Sequence, residues 1–415
     1  MTWTKASGRR RWLKAAQALE HRAFRLYFVG QIVSIMGTWV QQVAMGWLVY
    51  RLTGSAELLG ITTFLTMAPQ MVVGPLMGAL FDRFDRRRLL LLVQCLLILH
   101  GSVLGLLTLG GFVTPGLIVF MAALLGVLNG IDTPLRQSLI GGLLEDSSVI
   151  HNAFALNAMA FNAGRFLGPP IAGVVLSMTS EGVCFLVNGL SYLALVIALL
   201  RIKTRPPSPP DRRRSYLAAL GEGFAEIWWR DTHRGLLLLV GGLNLTASSY
   251  AVLMPVFVKE VFLADARTLG WLLGAAGAGA VLATILLAML EGTGRVIRVM
   301  LCGVIGAALA LLVFSTTAYL GVALAAMVVL GFGISVTNVG TNATLQSISA
   351  DTIRGRVASF FAATRFGFDA LGGLAAGYLA KSLGASTTLL VEGGGLVLLM
   401  ALLMPRLWRL TRRTG

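Results

Sequence analysis

The chain has 415 residues; 56% are hydrophobic and only 13% charged, yet the net charge is +16. A soluble domain carries about 25% charged residues, so a water-soluble core is excluded: there is more apolar surface than such a core can bury. Runs of about 20 apolar residues, long enough to cross a bilayer as helix, recur along the chain. In such a protein a basic excess points to loops at the cytoplasmic membrane face rather than to nucleic acid.

Twelve spans are predicted, at 26–50, 57–81, 89–110, 115–140, 151–177, 183–201, 236–262, 268–290, 299–317, 319–346, 357–380 and 385–405. The fold class is all-α integral membrane, with twelve transmembrane helices in two pseudo-symmetric six-helix bundles. Residues 1–25 form a basic N-terminal tail, followed by a retained first span rather than a cleaved leader. The first bundle is 26–201, the second 236–405, and 406–415 is a C-terminal tail. Between the bundles, 202–235 contains "KTRPPSPPDRRR", an extended linker by its prolines. The following stretch, through Trp228 and Trp229, reads as an interfacial helix or an ordinary amphipathic connector.

With the N-terminus in the cytoplasm, nearly all Lys and Arg fall on the side of the termini. Only Arg51, Lys259, Arg267 and Lys381 fall opposite, and Arg136, Arg165 and Arg365 lie within spans. The bias places both termini in the cytoplasm of a multi-pass cell (inner) membrane protein. Cys95, Cys184 and Cys302 each lie in an apolar run and are expected to be packing residues.

The halves repeat. "LGITTFLTMAPQMVVGPLMGAL" from Leu59 aligns with "LGWLLGAAGAGAVLATILLAML" from Leu269. Asn129, Gln137 and Ser138 align with Asn338, Gln346 and Ser347, and Gly168 and Gly173 with Gly372 and Gly377. Parallel six-span repeats are a transporter architecture.

Between the second and third spans "GALFDRFDRRR" packs charge between two apolar runs. Its Gly78, Asp82, Arg83, Arg86 and Arg87 resemble the loop signature of the major facilitator superfamily. Asp85 stands where that signature has glycine, so the turn is expected to be made by Asp in left-handed geometry. The motif suits a conformational latch, its acid at a helix dipole and its arginines on acids of neighbouring helices; a solvated basic loop is the alternative. The resemblance implies that the partner is the start of the eleventh span, "DTIRGRV". Gly164, Gly168, Pro169 and Gly173 in "NAGRFLGPPIAG" are similar to the Gly-Pro signature of the fifth helix in antiporter-type members. They are expected to pack on Gly274 and Gly277 of the eighth span, with "GGLAAG" of the eleventh on "GPLMGA" of the second. The phrasing from Phe24 to Ser55, with "RGRVASF", resembles the enterobactin-exporter-like branch, which implies efflux and a monomer without establishing a catecholate substrate.

Ionisable residues inside a membrane are functional candidates by default. These are Asp132 and Arg136, spaced to pair on one helix face, Arg365 and Asp369 at the same spacing, and Arg165, the repeat counterpart of Asp369. Asp132 and Asp369 are the expected proton-coupling residues, and structural ion pairs are the alternative. Substrate contacts are expected from the first, fourth, seventh and tenth spans, which line the cavity in the superfamily. They are Trp39, Gln41, Gln42, Asn129, Asn244, Tyr250, Asn338 and Asn342; interhelical hydrogen bonding is the plainer role of each. Trp47 is a second aromatic candidate, and His100 is expected to be packing. No GxxxxGK[ST] run, His/Cys cluster or Ser-His-Asp grouping stands out, so no catalytic residue, metal or cofactor is expected. The expected function is proton-coupled export of a small amphipathic molecule such as a siderophore, drug or metabolite. An importer, a uniporter and a non-transporting membrane partner of the same fold are the alternatives.

Overall fold

The computed structural model describes residues 17–81, 85–144, 147–202, 231–290, 292–350 and 353–413. Twelve long helical segments run back and forth through one bundle. The first six are α1 (Arg22–Thr53), α2 (Ala56–Phe81), α3 (Arg86–Leu109), α4 (Pro115–Leu143), α5 (Ser147–Met178) and α6 (Glu181–Arg201). The second six are α7 (Thr232–Val261), α8 (Ala266–Met289), α9 (Thr293–Thr316), α10 (Leu320–Ile348), α11 (Arg354–Leu383) and α12 (Ala385–Arg413). Nine of these are long and apolar enough to cross a membrane, counted among the described residues. Most of the linker, the interfacial helix with Trp228 and Trp229, and the first 16 residues lie outside the described residues. The last helix continues to Arg413, beyond the end expected at 405.

Short hairpins join helices at one end of the bundle, here the hairpin face; the opposite end is the terminal face. The first hairpin is set by Gly54, whose φ of 59° and ψ of 13° cap α1 through its N–H on the Tyr50 carbonyl. Within the first half α1 packs on α5 and α6, α2 on α4, and α3 on α6; in the second, α8 and α9 pack on α10, and α12 on α7 and α9. The halves meet along two seams, α5 with α8 and α2 with α11.

Backbones touch where side chains vanish. A Cβ added at Gly331 of α10 would lie 1.9 Å from the Ala276 carbonyl oxygen of α8. Two main chains cannot both yield there, so Gly331→Ala is expected to cost about 1–3 kcal/mol and to lower the thermal unfolding midpoint of the detergent-purified protein. An unchanged midpoint would show that α8 and α10 can separate at this contact without loss of stability.

The buried apolar side chains divide unevenly between the two faces. Toward the terminal face Phe24, Tyr27, Leu90, Leu135 and Leu199 cluster within the first half, with no described member from the second. Toward the hairpin face Val40, Trp47, Leu59 and Leu176 join Leu243, Phe257 and Phe314 in a cluster that crosses between halves. Exposed apolar residues such as Val29, Leu99, Phe120, Leu190, Leu309 and Leu398 face outward, as a lipid-facing belt requires. Cys184 is buried as expected, but Cys95 and Cys302 are exposed thiols on their helices, because each lies on the outer rather than the inner face.

Candidate transport pathway

Four features stand out in the bundle: a buried ion pair, a group of three intramembrane charges, a kinked helix and a closed rim.

The i, i+4 spacing on α4 does make a pair. Arg136 Nε donates to Asp132 Oδ2 at 2.6 Å, with both side chains about nine-tenths buried. Gln94 of α3 donates Nε2 to Asp132 Oδ1 at 2.5 Å, and Arg136 Nη2 donates to Ser34 Oγ of α1 at 3.0 Å. Every partner belongs to the first half. The pair ties α1, α3 and α4 together, and among the described residues it meets no partner from the second half.

The second set of charges does cross. Arg365 and Asp369 of α11 interact electrostatically with Arg165 of α5, and all three are half-buried. Arg365 Nε is buried with no hydrogen-bond partner, while the guanidinium lies 5.0 Å from the Phe366 ring. Ser248 of α7 lies beside the Asp369 side chain, and its Oγ donates to Asn244 Oδ1 at 3.2 Å. Two arginines and one carboxylate from opposite halves therefore lie within electrostatic range of one another.

Ser248 comes beside Asp369 because α7 is not one regular helix. Its α-helical part ends at Thr246, Ala247–Ser249 form a 3₁₀ turn, Tyr250–Val256 resume α-helix, and Phe257–Val261 widen to a π-turn. The local sequence explains the break. Thr246 Oγ1 donates to the Gly242 carbonyl at 2.9 Å, and Ser249 Oγ to the Thr246 carbonyl at 2.5 Å. Such hydroxyls compete with the helical ladder. Pro255 lacks an N–H and crowds the carbonyl four residues back. The turn sets Ser248 beside Asp369 and points Ser249 at buried Glu392 of α12, with which it hydrogen-bonds. Breaks of this kind concentrate at functional sites.

The π-turn at the far end of α7 carries two more charged groups. Lys259 Nζ lies 4.8 Å over the Trp47 ring of α1, a cation–π contact. Glu260 accepts from the Tyr50 hydroxyl of α1. Lys381 of α11 pairs with Glu57 of α2, and Arg267 Nε of α8 donates to Ser177 Oγ of α5 at 2.7 Å. All four contacts bridge the halves at the hairpin face. Below them Gly60 meets Gly377, and Gly173 meets Gly270, each with backbone against backbone. Tyr50, Glu260 and Lys381 line a cavity of about 280 Å³ beside this rim, with Ser55 and Ala56 of the first hairpin.

The remaining predicted residues fall less neatly. Asn244 and Asn338 are buried against each other: Asn244 Nδ2 donates to Asn338 Oδ1 at 2.9 Å and accepts in return at 3.3 Å. Gln41 is buried and accepts from Asn188 Nδ2 at 2.6 Å, Tyr250 is buried, and Asn342 accepts from Gln346 on its own helix at 2.9 Å. These are interhelical or intrahelical bonds, not open cavity groups. Trp39 fills the space left by Gly164 and Gly168 and stands edge-on to Phe161 at 5.9 Å. Gln42 is exposed and Asn129 half-buried. His100 is a packing residue, its Nε2 2.9 Å from the Met121 carbonyl.

The Gly-Pro stretch splits between two neighbours. Gly164 and Gly168 face α1, against expectation, whereas Gly173 and the Pro169 carbonyl meet Gly270 of α8. Gly274 abuts Pro170, and Gly277 lies under the Arg165 carbonyl. On the other seam α11 does pack on α2, with described contacts at Gly60 against Gly373 and Gly377; the side chains of 74–79 lie outside the described residues.

Asp82 and Arg83 of the loop motif, and Asp351 and Thr352 of its expected partner, lie outside the described residues. Gly78 lies in the last turns of α2 and Arg86 opens α3. Arg87 donates Nε to the Leu199 carbonyl at 2.6 Å and Nη2 to that of Leu200 at 3.0 Å. This arginine caps the C-terminus of α6, where the dipole favours a cation, instead of pairing with an acid. Asp85 has φ −64° and ψ 111°, not left-handed geometry, and it N-caps α3 by accepting from the N–H groups of Arg87 and Arg88. An N-cap needs a short acceptor at that position, and glycine would supply none.

Residues 14–413 match the family model described as a transmembrane secretion effector. The chain belongs to that family of major facilitator transporters. It is 26% identical over 409 residues to the enterobactin exporter EntS of Shigella boydii, covering 97% of this chain and 96% of that protein. It is also 26% identical over 267 residues to a staphyloferrin A transporter of Staphylococcus aureus, covering 63% of this chain and 66% of that one. The fold is similar to that of the nucleoside transporter NupG, with TM-score 0.73, 13% identity and coverage of 92% and 98%. A bacterial homologue of the lysosomal transporter Spinster matches with TM-score 0.71, 15% identity and coverage of 95% and 98%. The transporter is therefore a multi-pass membrane protein of this superfamily and not an enzyme.

Proposed function

We propose that this transporter exports a small amphipathic molecule in exchange for protons, by alternating access, with both termini in the cytoplasm. The names of its relatives support a siderophore-like solute. The carrying observation is Asp369, a carboxylate within a span of the second half that lies in electrostatic range of Arg365 on its own helix and of Arg165 in the first half. Solute hydroxyl or amide donors and a proton compete for that carboxylate, which is the minimal requirement for antiport. Asp132 is assigned a structural role, because each of its oxygens accepts from a partner within the first half.

The rim at the hairpin face serves as the outer gate. It is closed here, and among the described residues the terminal-face cluster lies within the first half. Cysteines at 57 and 381, in a chain without its three native cysteines, are expected to accept a short thiol cross-linker and then to stop transport. A linked protein that transports normally would remove this rim from the gate.

Proton exchange is tested in everted vesicles holding a preformed pH gradient, with a small-molecule extract of iron-limited cells as the probe. Addition should collapse the gradient in vesicles carrying the transporter and not in vesicles lacking it. Equal responses would sink the coupling.

A further inference from the structure

The cavity at the rim is walled by both halves, with Tyr50 and Ser55 from the first and Val256, Glu260 and Lys381 from the second. Its volume of about 280 Å³ falls just below the roughly 300–1,000 Å³ of pockets that hold drug-sized ligands. A siderophore-like solute does not fit it, so its occupant is a separate, smaller molecule. Two of its described liners are charged, Lys381 and Glu260, and their signs are opposite. Both have bonding capacity left. The Lys381 ammonium has three N–H groups to share, and Glu57 takes one. The Glu260 carboxylate has about four acceptor positions, and the Tyr50 hydroxyl fills one at Oε1. Ser55 Oγ accepts from the Leu58 N–H at 3.2 Å and keeps its own proton to give. We propose that this cavity binds a small zwitterion, an amino-acid-like molecule whose carboxylate takes Lys381 and Ser55 and whose ammonium takes Glu260, and that the bound zwitterion holds the outer gate closed. The second part rests on the gate reading above.

Closure follows from linkage. The two walls stand together only while the rim is shut, so the zwitterion meets both halves in that state alone. A ligand shifts an equilibrium by its differential affinity for the two states. The zwitterion adds to the Lys381–Glu57 and Tyr50–Glu260 contacts instead of displacing them, because it uses different donors and acceptors of the same groups. Lys381 is 65% exposed in its pair, and exposed pairs are weak on their own, which leaves the rim open to reinforcement. A zwitterion has the advantage over a plain anion or cation, since either of those answers one liner and meets repulsion from the other. Molecules accumulating at the hairpin face thereby slow the transporter from that side.

The test begins with binding. The probes are glycine, β-alanine and 4-aminobutyrate, whose two charges stand progressively further apart, and acetate and methylammonium are the single-charge controls. Saturation-transfer NMR on the full protein in nanodiscs is expected to show saturable binding of at least one zwitterion, with a Kd of about 1 mM, and of neither control. Lys381→Met and Glu260→Gln should each weaken that binding at least about tenfold, as loss of a hydrogen bond to a charged group does. Glu57→Gln should leave it within about threefold, since it removes an exposed ion pair of the rim and not a wall of the cavity. The second arm follows the gate. Thr63→Cys, in a chain lacking the native cysteines, lies on the α2–α11 seam facing Gly373, beyond the Gly60 contact. An impermeant maleimide applied to the outside of spheroplasts should label it at least about fivefold more slowly with the zwitterion present, the low end of a coupling between sites. Three zwitterions that bind no better than the controls overturn the site, as does binding that survives both Lys381→Met and Glu260→Gln. Binding without slower labelling overturns the effect on the gate: alone if the cross-link between 57 and 381 stops transport, and together with the gate reading if it does not.

Discussion

Asp369→Asn is expected to reduce gradient-driven transport to the level of vesicles lacking the protein, while the purified variant stays folded. Asparagine keeps the size of aspartate, but it can neither gain nor lose a proton. The exchange cycle then has no carrier for its counter-ion. Because Arg165 is half-buried and the Arg365 guanidinium keeps its place over the Phe366 ring, losing the carboxylate is expected to cost little stability. The measurement is proton release on addition of the cell extract, beside a thermal unfolding curve. Proton release at the parent rate would show that the coupling carboxylate lies elsewhere.

Arg136→Ala is expected to do the reverse and fail through stability. It strands Asp132, about nine-tenths buried, with only Gln94 for company. Removing one partner of a buried pair costs about 3–5 kcal/mol, a large share of a typical folding free energy of roughly 5–15 kcal/mol. The variant should be recovered in low yield with a clearly lowered unfolding midpoint. Replacing both residues by leucine removes the stranded charge and should restore most of that loss. A stable, transport-dead Arg136→Ala would instead place this pair in the coupling mechanism.

The contrast between the two carboxylates was only partly legible in the sequence. The i, i+4 spacing announced the Asp132–Arg136 contact, since residues so spaced share a helix face. The repeat register paired Arg165 with Asp369, and the two do lie across the seam. What sequence could not convey was saturation: Gln94 and Ser34 complete the first site from other helices, which made Asp132 and Asp369 look equivalent. The helices themselves were legible because a bilayer demands long apolar runs, and the α5–α8 seam because small residues repeat there. The joint in α7 was not, since ordinary helix-forming residues surround it and the break depends on hydroxyls finding carbonyls. For the polar residues Asn244, Asn338 and Gln41 interhelical hydrogen bonding was already the plainer reading, but the sequence did not name the partners. Each had one, on a helix distant in sequence. The rim was missed for the same reason: Lys381 and Glu57 look like two stray loop charges and lie 324 residues apart. The Asp85 turn failed differently. Aspartate there was treated as a substitute for glycine, when its value is a side-chain acceptor for the N–H groups that open α3.

The central claim is outward transport of a small molecule, and a paired metabolite profile tests it most directly. Cells lacking the protein, cells carrying it and cells carrying Asp369→Asn are grown under iron limitation, and intracellular and secreted compounds are compared. The account predicts a compound retained inside the deficient cells, returned to the medium by the parent protein and not by the variant. Identical profiles, or a compound that the parent protein draws in from the medium, would contradict it.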